Sequence, residues 1–174
     1  MAKGILVILA HPDMEKSRLN QKLAEAAREA GASVHELYKE YPDGKVDAKR
    51  EQALLLEAGA IVLQFPFYWY SSPSLLKEWQ DKVLEYGFAY GSSGKALHGK
   101  KLLVATTTGG PAEAYEEGGY NNFSLEELLR PFEQTASLCG MEWQPPFAVN
   151  GARAISDGEL AGKAGEYRQR LKSL

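Results

Sequence analysis

The chain has 174 residues, of which 44% are hydrophobic and 25% charged, a profile that suits one globular domain able to bury a full core. Twenty basic residues against 23 acidic ones give a formal net charge of -3 with no block of like charge, which argues against an electrostatic grip on nucleic acid or an anionic membrane. One cysteine, Cys139, excludes an internal disulfide; the opening MAKGILVILAHP has too short an apolar stretch for a signal peptide, and no apolar run is long enough to span a bilayer, so a soluble cytoplasmic protein is expected.

Short apolar runs alternate with segments of helical period, the pattern of a parallel sheet covered on both faces. GILVIL (4–9) is the first strand, followed by a helix in which Leu19, Leu23, Ala26, Ala27 and Ala30 form one stripe before Gly31 stops it. ASVHEL (32–37) is more mixed and belongs at an edge, and YKEYPDGKVD (38–47) is expected to be an exposed loop. AIVLQF (60–65) is a buried strand, after which Ser72 caps and Pro73 opens a helix that buries Leu75, Leu76, Trp79 and Val83. KLLVAT (101–106) is the fourth strand; it and the first and third are continuous enough to be central.

Ser124 with Glu127, and Ser156 with Glu159, match the capping box S-x-x-E, whereas Pro131 inside the fourth helical segment predicts a kink. PFAVNG (146–151) is the fifth strand, and Leu160, Ala164, Tyr167, Leu171 and Leu174 mark the buried stripe of the last helix. No repeat or linker divides the chain, so residues 1–174 read as a single domain. Five parallel strands with helices on both faces admit the doubly wound order 2-1-3-4-5, which opens a crevice at the carboxyl ends of strands one and three.

Three loops flank that crevice. HPDMEKSRLN brings His11, Ser17 and Asn20 to the start of the first helix, where unpaired amides and the helix dipole suit a phosphate. Taken alone, Ser17 reads first as a helix cap and His11 as a satisfied polar group at a strand end. TTTGG lets the main chain approach a flat ligand, although an isolated Gly-Gly is more often a plain turn. In QFPFYWY, Phe67, Tyr68, Trp69 and Tyr70 cannot all turn inward from a tight connection, so a planar ligand or a dimer interface must cover some of them. A phosphate seat, close-approach glycines and an aromatic wall together describe a ligand flat at one end and anionic at the other, and flavin mononucleotide (FMN) fits that description.

The chain resembles the flavodoxin-like NAD(P)H:quinone oxidoreductases of the DT-diaphorase type, in particular the bacterial short-chain branch that includes the ancillary oxidoreductases of glutathione-gated potassium efflux systems. The resemblance runs through AHP, SRLN, QFPFYWYSSPSLLKEWQDKV, GFAYG, ALHGKKLLVATTTGGP and LLRPFEQTASLCGMEWQPPF. It implies that His11, Ser17, Arg18, Leu19 and Asn20 hold the FMN phosphate. It further implies that Pro66, Phe67, Tyr68, Trp69 and Tyr70 wrap one edge of the isoalloxazine ring, that Thr107, Thr108, Gly109 and Gly110 cover another, and that Tyr115 faces the ring as the candidate catalytic residue. The histidine that partners this tyrosine in the family is Asn121 here, beside Tyr120, so no Tyr-His relay is expected.

The activity so implied is ping-pong transfer of two electrons from NADH or NADPH to a quinone-like acceptor, with GFAY (87–90) of a second subunit completing the slot in a homodimer. Two other functions remain open: a flavodoxin-type electron carrier, and a redox-sensing ancillary subunit of a potassium efflux transporter, which would bring the protein to the periphery of the inner membrane. Asn20 is expected to touch the phosphate directly, so that its loss weakens FMN binding and leaves the apo fold intact. Cys139, His35 and His98 read as structural, and no Cys/His cluster suggests a metal.

Overall fold

The computed structural model describes residues 4–174. Its six-stranded sheet is built from β1 (Ile5–Leu9), β2 (Ser33–Glu36), β3 (Ala60–Pro66), β4 (Lys101–Thr107), β5 (Glu142–Trp143) and β6 (Phe147–Val149). The strands run parallel in the order β2-β1-β3-β4-β5, with β6 also paired to β4. Side chains alternate across a strand. Leu6, Ile8, Ile61, Leu63, Leu102 and Val104 therefore pack on one face, and Val7, Val62 and Leu103 on the other. Burial on both faces is why β1, β3 and β4 read as unbroken apolar runs.

The helices are α1 (Arg18–Glu29), α2 (Leu37–Glu40), α3 (Ala48–Glu57), α4 (Ser74–Val83), α5 (Leu125–Leu128), α6 (Arg130–Leu138) and α7 (Asp157–Lys172). α1 and α7 cover one face through Leu23 and Tyr167, both fully buried; α3, α4 and α6 cover the other through Leu55, Trp79 and Phe132. Each fully buried large side chain contributes about 1.5–3 kcal/mol from removal of apolar surface. Both capping boxes form, each serine accepting from the amide three residues on while that glutamate accepts from the serine amide.

Four expectations change. The fifth strand is split: Glu142–Trp143 pairs opposite Lys101 and Leu102, and Phe147–Val149 opposite Ala105 to Thr107. Pro145 and Pro146 lie between them and have no N–H to donate, so the ladder breaks opposite the middle of β4 without altering the strand order. α4 starts at Ser74, with Pro73 at the N-cap (ψ 148°) and no side-chain cap from Ser72. Pro131 does more than kink its helix, which is broken at Leu129 into α5 and α6, leaving the proline in the first turn of α6. The 38–47 segment is anchored rather than simply exposed: it begins inside α2, and Tyr41 is buried with its hydroxyl donating to Glu51 Oε1 at 2.6 Å.

Glu51 is fully buried and also accepts from Trp79 Nε1 at 2.8 Å and pairs with His35 Nε2 at 2.9 Å. Burial alone would raise its pKa, yet the hydrogen bonds from His35, Tyr41 and Trp79 hold it below the usual carboxylate value. Burial and the Glu51 contact push the Tyr41 hydroxyl up to about 12. His35 is thus a structural histidine. Cys139 is buried, and burial raises its thiol pKa, in keeping with a structural role.

Candidate functional site

Beyond β1 the chain passes over His11 and Pro12 into a short 3-10 turn, Met14–Lys16, and then enters α1. Ser17 is the N-cap: its Oγ accepts from the Asn20 amide at 3.4 Å and from Asn20 Nδ2 at 3.2 Å, and its carbonyl accepts from Gln21 N–H at 3.0 Å. The amides of Arg18 and Leu19 lie in the first turn, where the helix offers no carbonyl, at the positive end of its dipole. The Asp13 amide donates to His11 Nδ1 at 3.0 Å, so the neutral imidazole carries its proton on Nε2 as a free donor. Burial lowers the His11 pKa, with Asp13 pulling in the opposite direction, and the ring is neutral at pH 7.

His11, Ser17, Arg18, Leu19 and Asn20 line a cleft of about 290 Å3, close to the lower end of the range for small-molecule sites, roughly 300–1,000 Å3. Pro66, Phe67 and Tyr68 form a second wall, Thr107, Thr108 and Gly109 a third, and Lys16, Ala152 and Arg153 complete the rim. An apolar cavity of about 20 Å3 between Leu63, Trp79 and Phe132 is too small for a ligand.

A buried polar chain supports the cleft floor. Asn20 Nδ2 donates to Thr107 Oγ1 at 3.1 Å, Gln64 Nε2 donates to the Asn20 carbonyl at 3.1 Å, and the Tyr167 hydroxyl donates to Gln64 Oε1 at 3.3 Å. Both Asn20 and Gln64 are buried, at 1% and 0% exposure, so each partner is needed. Asn20 is therefore committed to Ser17 and Thr107 and acts on the cleft by holding them. The sequence reading places Gln64 in a buried strand and Tyr167 on the buried stripe of the last helix but gives neither a role beneath the cleft; the lone glutamine in the apolar run AIVLQF is the signal that would have found one of them.

The aromatic wall is a two-residue hairpin. Phe67 N–H donates to the Thr107 carbonyl at 2.8 Å, Ser71 N–H donates to the Tyr68 carbonyl at 2.9 Å, and Tyr68 and Ser71 form an antiparallel bridge. Trp69 and Tyr70 both have positive φ, 49° and 61°, the signature of a type I′ turn. Their rings project outward, Trp69 being 92% and Tyr70 51% exposed. Phe67 meets Tyr70 and Tyr115 edge-on at 6.3 Å and 6.1 Å between ring centroids.

On the third side, the Thr108 amide donates to the Val149 carbonyl at 3.0 Å and the Gly151 amide to the Gly110 carbonyl at 2.8 Å, so β6 fixes the glycine loop. A Cβ on Gly109 would meet no atom within 4 Å, whereas one on Gly110 would stand 2.6 Å from the Tyr120 hydroxyl. Tyr115 ends the 3-10 turn Ala112–Tyr115; burial raises its pKa, with the Thr108 hydroxyl opposing and the phenols of Tyr120 and Tyr70 adding to it, so it is a protonated donor at neutral pH. Asn121 Oδ1 accepts from the Tyr70 hydroxyl at 3.2 Å.

The cleft thus brings together His11, Ser17, Arg18, Leu19, Asn20, Pro66, Phe67, Tyr68, Thr107, Thr108 and Gly109. Trp69, Tyr70, Gly110 and Tyr115 stand beside it without lining it. The Arg18 side chain turns toward α7, with Nη1 at 2.5 Å from Asp157 Oδ1 and Nη2 at 2.5 Å from the Ile155 carbonyl, so only its main chain serves the helix start. Lys16, Ala152 and Arg153 are the additions that sequence reasoning missed; Ala152 and Arg153 lie on the loop after β6, at the same end of the sheet as the three loops considered.

A family model described as Flavodoxin-like fold matches residues 3–171. General stress protein 14 of Bacillus subtilis (strain 168) is 50% identical over 169 residues, covering 95% of this chain and 97% of the relative. The uncharacterized NAD(P)H oxidoreductase YdeQ of the same organism is 45% identical, covering 97% and 86%. The glutathione-regulated potassium-efflux system ancillary protein KefG of Pectobacterium carotovorum is 46% identical, covering 97% and 93%.

Among solved structures, general stress protein 14 of Treponema denticola in complex with FMN has a TM-score of 0.93 at 42% identity, covering 98% of each chain. An NADPH-quinone reductase from P. pentosaceus has a TM-score of 0.90 at 32% identity, covering 98% and 99%. A chain described as a thermophilic tryptophan halogenase from Streptomycin violaceusniger also scores 0.93, at 46% identity, covering 95% and 97%.

Proposed function

The chain belongs to the flavodoxin-like fold family, and from that premise we propose that it is an FMN-dependent NAD(P)H oxidoreductase that passes two electrons to quinone-like acceptors. The observation that carries this reading is one cleft in which an open helix N-terminus, an aromatic wall and an unobstructed glycine converge. The names of relatives agree with it: NAD(P)H oxidoreductase, NADPH-quinone reductase, and a neighbour in complex with FMN.

The donor set fits the flavin nucleotide at both ends. A phosphate at the start of α1 would meet the Arg18 and Leu19 amides, the Ser17 hydroxyl and His11 Nε2–H, with the charges of Lys16 and Arg153 beside it. A flat ring system would lie between Phe67 and Tyr68 on one side and Thr108 and Gly109 on the other. When bound, the flavin supplies a two-electron relay between a nicotinamide and a quinone. The protein's part is to orient and stabilise. Main-chain amides at Gly109 and Gly110 would offer donors to a bound ring that gains negative charge, and the protonated Tyr115 hydroxyl beside the cleft would be a further donor. Tyr115 is the residue we assign to catalysis, and the single cleft supports a ping-pong order in which nicotinamide leaves before the acceptor enters.

We extend the reading to a homodimer, because Tyr68, Trp69 and Tyr70 expose more contiguous aromatic surface than a soluble monomer usually leaves uncovered, and a cytoplasmic location is part of the same proposal. Light scattering should report about twice 19.2 kDa. A fully active monomer would overturn a shared site. The KefG relatives favour a second reading for the same fold, an ancillary subunit of a potassium efflux transporter. No helix among the described residues is long and apolar enough to cross a membrane, so such a role would require a membrane partner. Co-purification with a transporter encoded alongside it would support that role, and a stable, flavin-loaded protein with no such partner would count against it. The oxidoreductase reading is tested by NAD(P)H oxidation with a quinone acceptor; no rate above that of free FMN would overturn it.

A further inference from the structure

Residues 68–71 form a type I′ turn, a geometry that asks both central residues for positive φ and is therefore usually built from Asn-Gly or Asp-Gly. Here the two positions hold tryptophan and tyrosine, whose Cβ atoms oppose the left-handed region. Such a conformation persists only when its surroundings impose it. Within one chain the Trp69 ring, 92% exposed, supplies no packing that could do so. Tyr70 has two anchors: an edge contact with Phe67, which belongs to the same loop, and the hydrogen bond from its hydroxyl to Asn121 Oδ1 at 3.2 Å.

Asn121 is well placed to be the fixed end of that bond. It is 9% exposed, its amide donates to the Ala114 carbonyl at 3.1 Å, and its carbonyl accepts from Phe123 N–H at 2.8 Å. The segment that carries it is folded tightly on itself: a Cβ on Gly119 would come within 2.4 Å of the Glu113 carbonyl oxygen. The hairpin is thus the part that is held, and the 112–123 segment is the part that holds.

We propose that Asn121 is a positioning residue, which acts through Tyr70 to latch the aromatic hairpin in a conformation that Trp69 and Tyr70 do not favour by themselves. Tyr68 rides on the same turn and lines the cleft, so the latch sets where that ring stands in the aromatic wall. The latch rests on the reading under Proposed function only in identifying that wall as the flavin's; the backbone consequence is independent of it.

Amide hydrogen exchange of the full-length protein tests the latch directly, because the Ser71 N–H is held by the Tyr68 carbonyl only while the turn stands. Tyr70→Phe and Asn121→Ala should each speed Ser71 exchange roughly three- to tenfold, the range for losing one neutral hydrogen bond, and the double variant should be no faster than the faster single one. Replacing Trp69 and Tyr70 together by Asn and Gly should restore slow exchange without the latch, and Asn121→Ala should then have no further effect. Unchanged Ser71 exchange in the two single variants would overturn the proposal, as would an equal effect of Asn121→Ala in the Asn-Gly background. The expected exchange pattern in a protein that binds no FMN would support the latch and overturn the assigned function.

Discussion

Asn20 Nδ2 donates to Thr107 Oγ1 at 3.1 Å, tying the first turn of α1 to the last residue of β4. Two walls of the cleft are thus joined by one buried side chain. Asn20→Ala removes that tie and leaves the Gln64 amide with one acceptor fewer. The apo protein should lose about 1–3 kcal/mol of stability, the cost of leaving buried polar groups unsatisfied, and FMN should bind more weakly. Urea unfolding of the apo variant separates this from a direct phosphate contact: an unchanged midpoint with weakened FMN binding would mean that the side chain serves the ligand alone.

Gly109 gives the converse case. A methyl there meets nothing in the protein within 4 Å, although the residue lines the cleft. Gly109→Ala should therefore keep the melting temperature of the apo protein, or raise it slightly by restricting the unfolded chain, while FMN affinity falls. Equal FMN affinity in variant and parent would place the flavin away from this loop.

His11 provides a pH signature. Burial lowers its pKa below the ordinary 6.5, so between those two values the unfolded chain binds more protons than the folded one. The stability linked to His11 is complete above the unfolded value and is lost as the pH falls toward the folded one. Denaturant unfolding across that window should show a steeper loss on acidification for the parent than for His11→Gln. A bound phosphate should raise the His11 pKa, visible as an FMN-dependent shift of its ring resonance. Identical pH slopes for the two proteins would contradict the burial argument.

Tyr115→Phe keeps the ring that meets Phe67 edge-on and removes one neutral donor. Losing such a donor raises a barrier by about 0.5–1.5 kcal/mol, which corresponds to a slowdown of roughly tenfold at most. Stopped-flow reduction by NAD(P)H isolates that step from acceptor chemistry. An unchanged rate would make Tyr115 a packing residue, and a loss of several hundredfold would make it an essential acid.

Local chemistry made much of this fold legible. The uninterrupted runs of β1, β3 and β4, the α1 stripe ending at Gly31, and the capping boxes at Ser124 and Ser156 all act within one turn or one strand. Prolines were harder to place to the residue, because the same missing N–H can open a helix, as Pro131 does, precede one, as Pro73 does, or split a strand, as Pro145 and Pro146 do. The cleft-lining loops followed from topology, whereas the support beneath them did not. Gln64 meets Asn20 from 44 positions away and Tyr167 from 103, separations that no local pattern encodes. The Trp69–Tyr70 turn was hidden for the opposite reason: its sequence contradicts its backbone.

The most direct measurement is an anaerobic titration of FMN-reconstituted protein with NADH and with NADPH, followed by flavin absorption. The account predicts one FMN per chain, lost with parallel weakening in Gly109→Ala, and bleaching of one flavin per nucleotide at a rate far above that of free FMN. A protein that binds no FMN, or holds it and reduces it no faster than free flavin in solution, would contradict it.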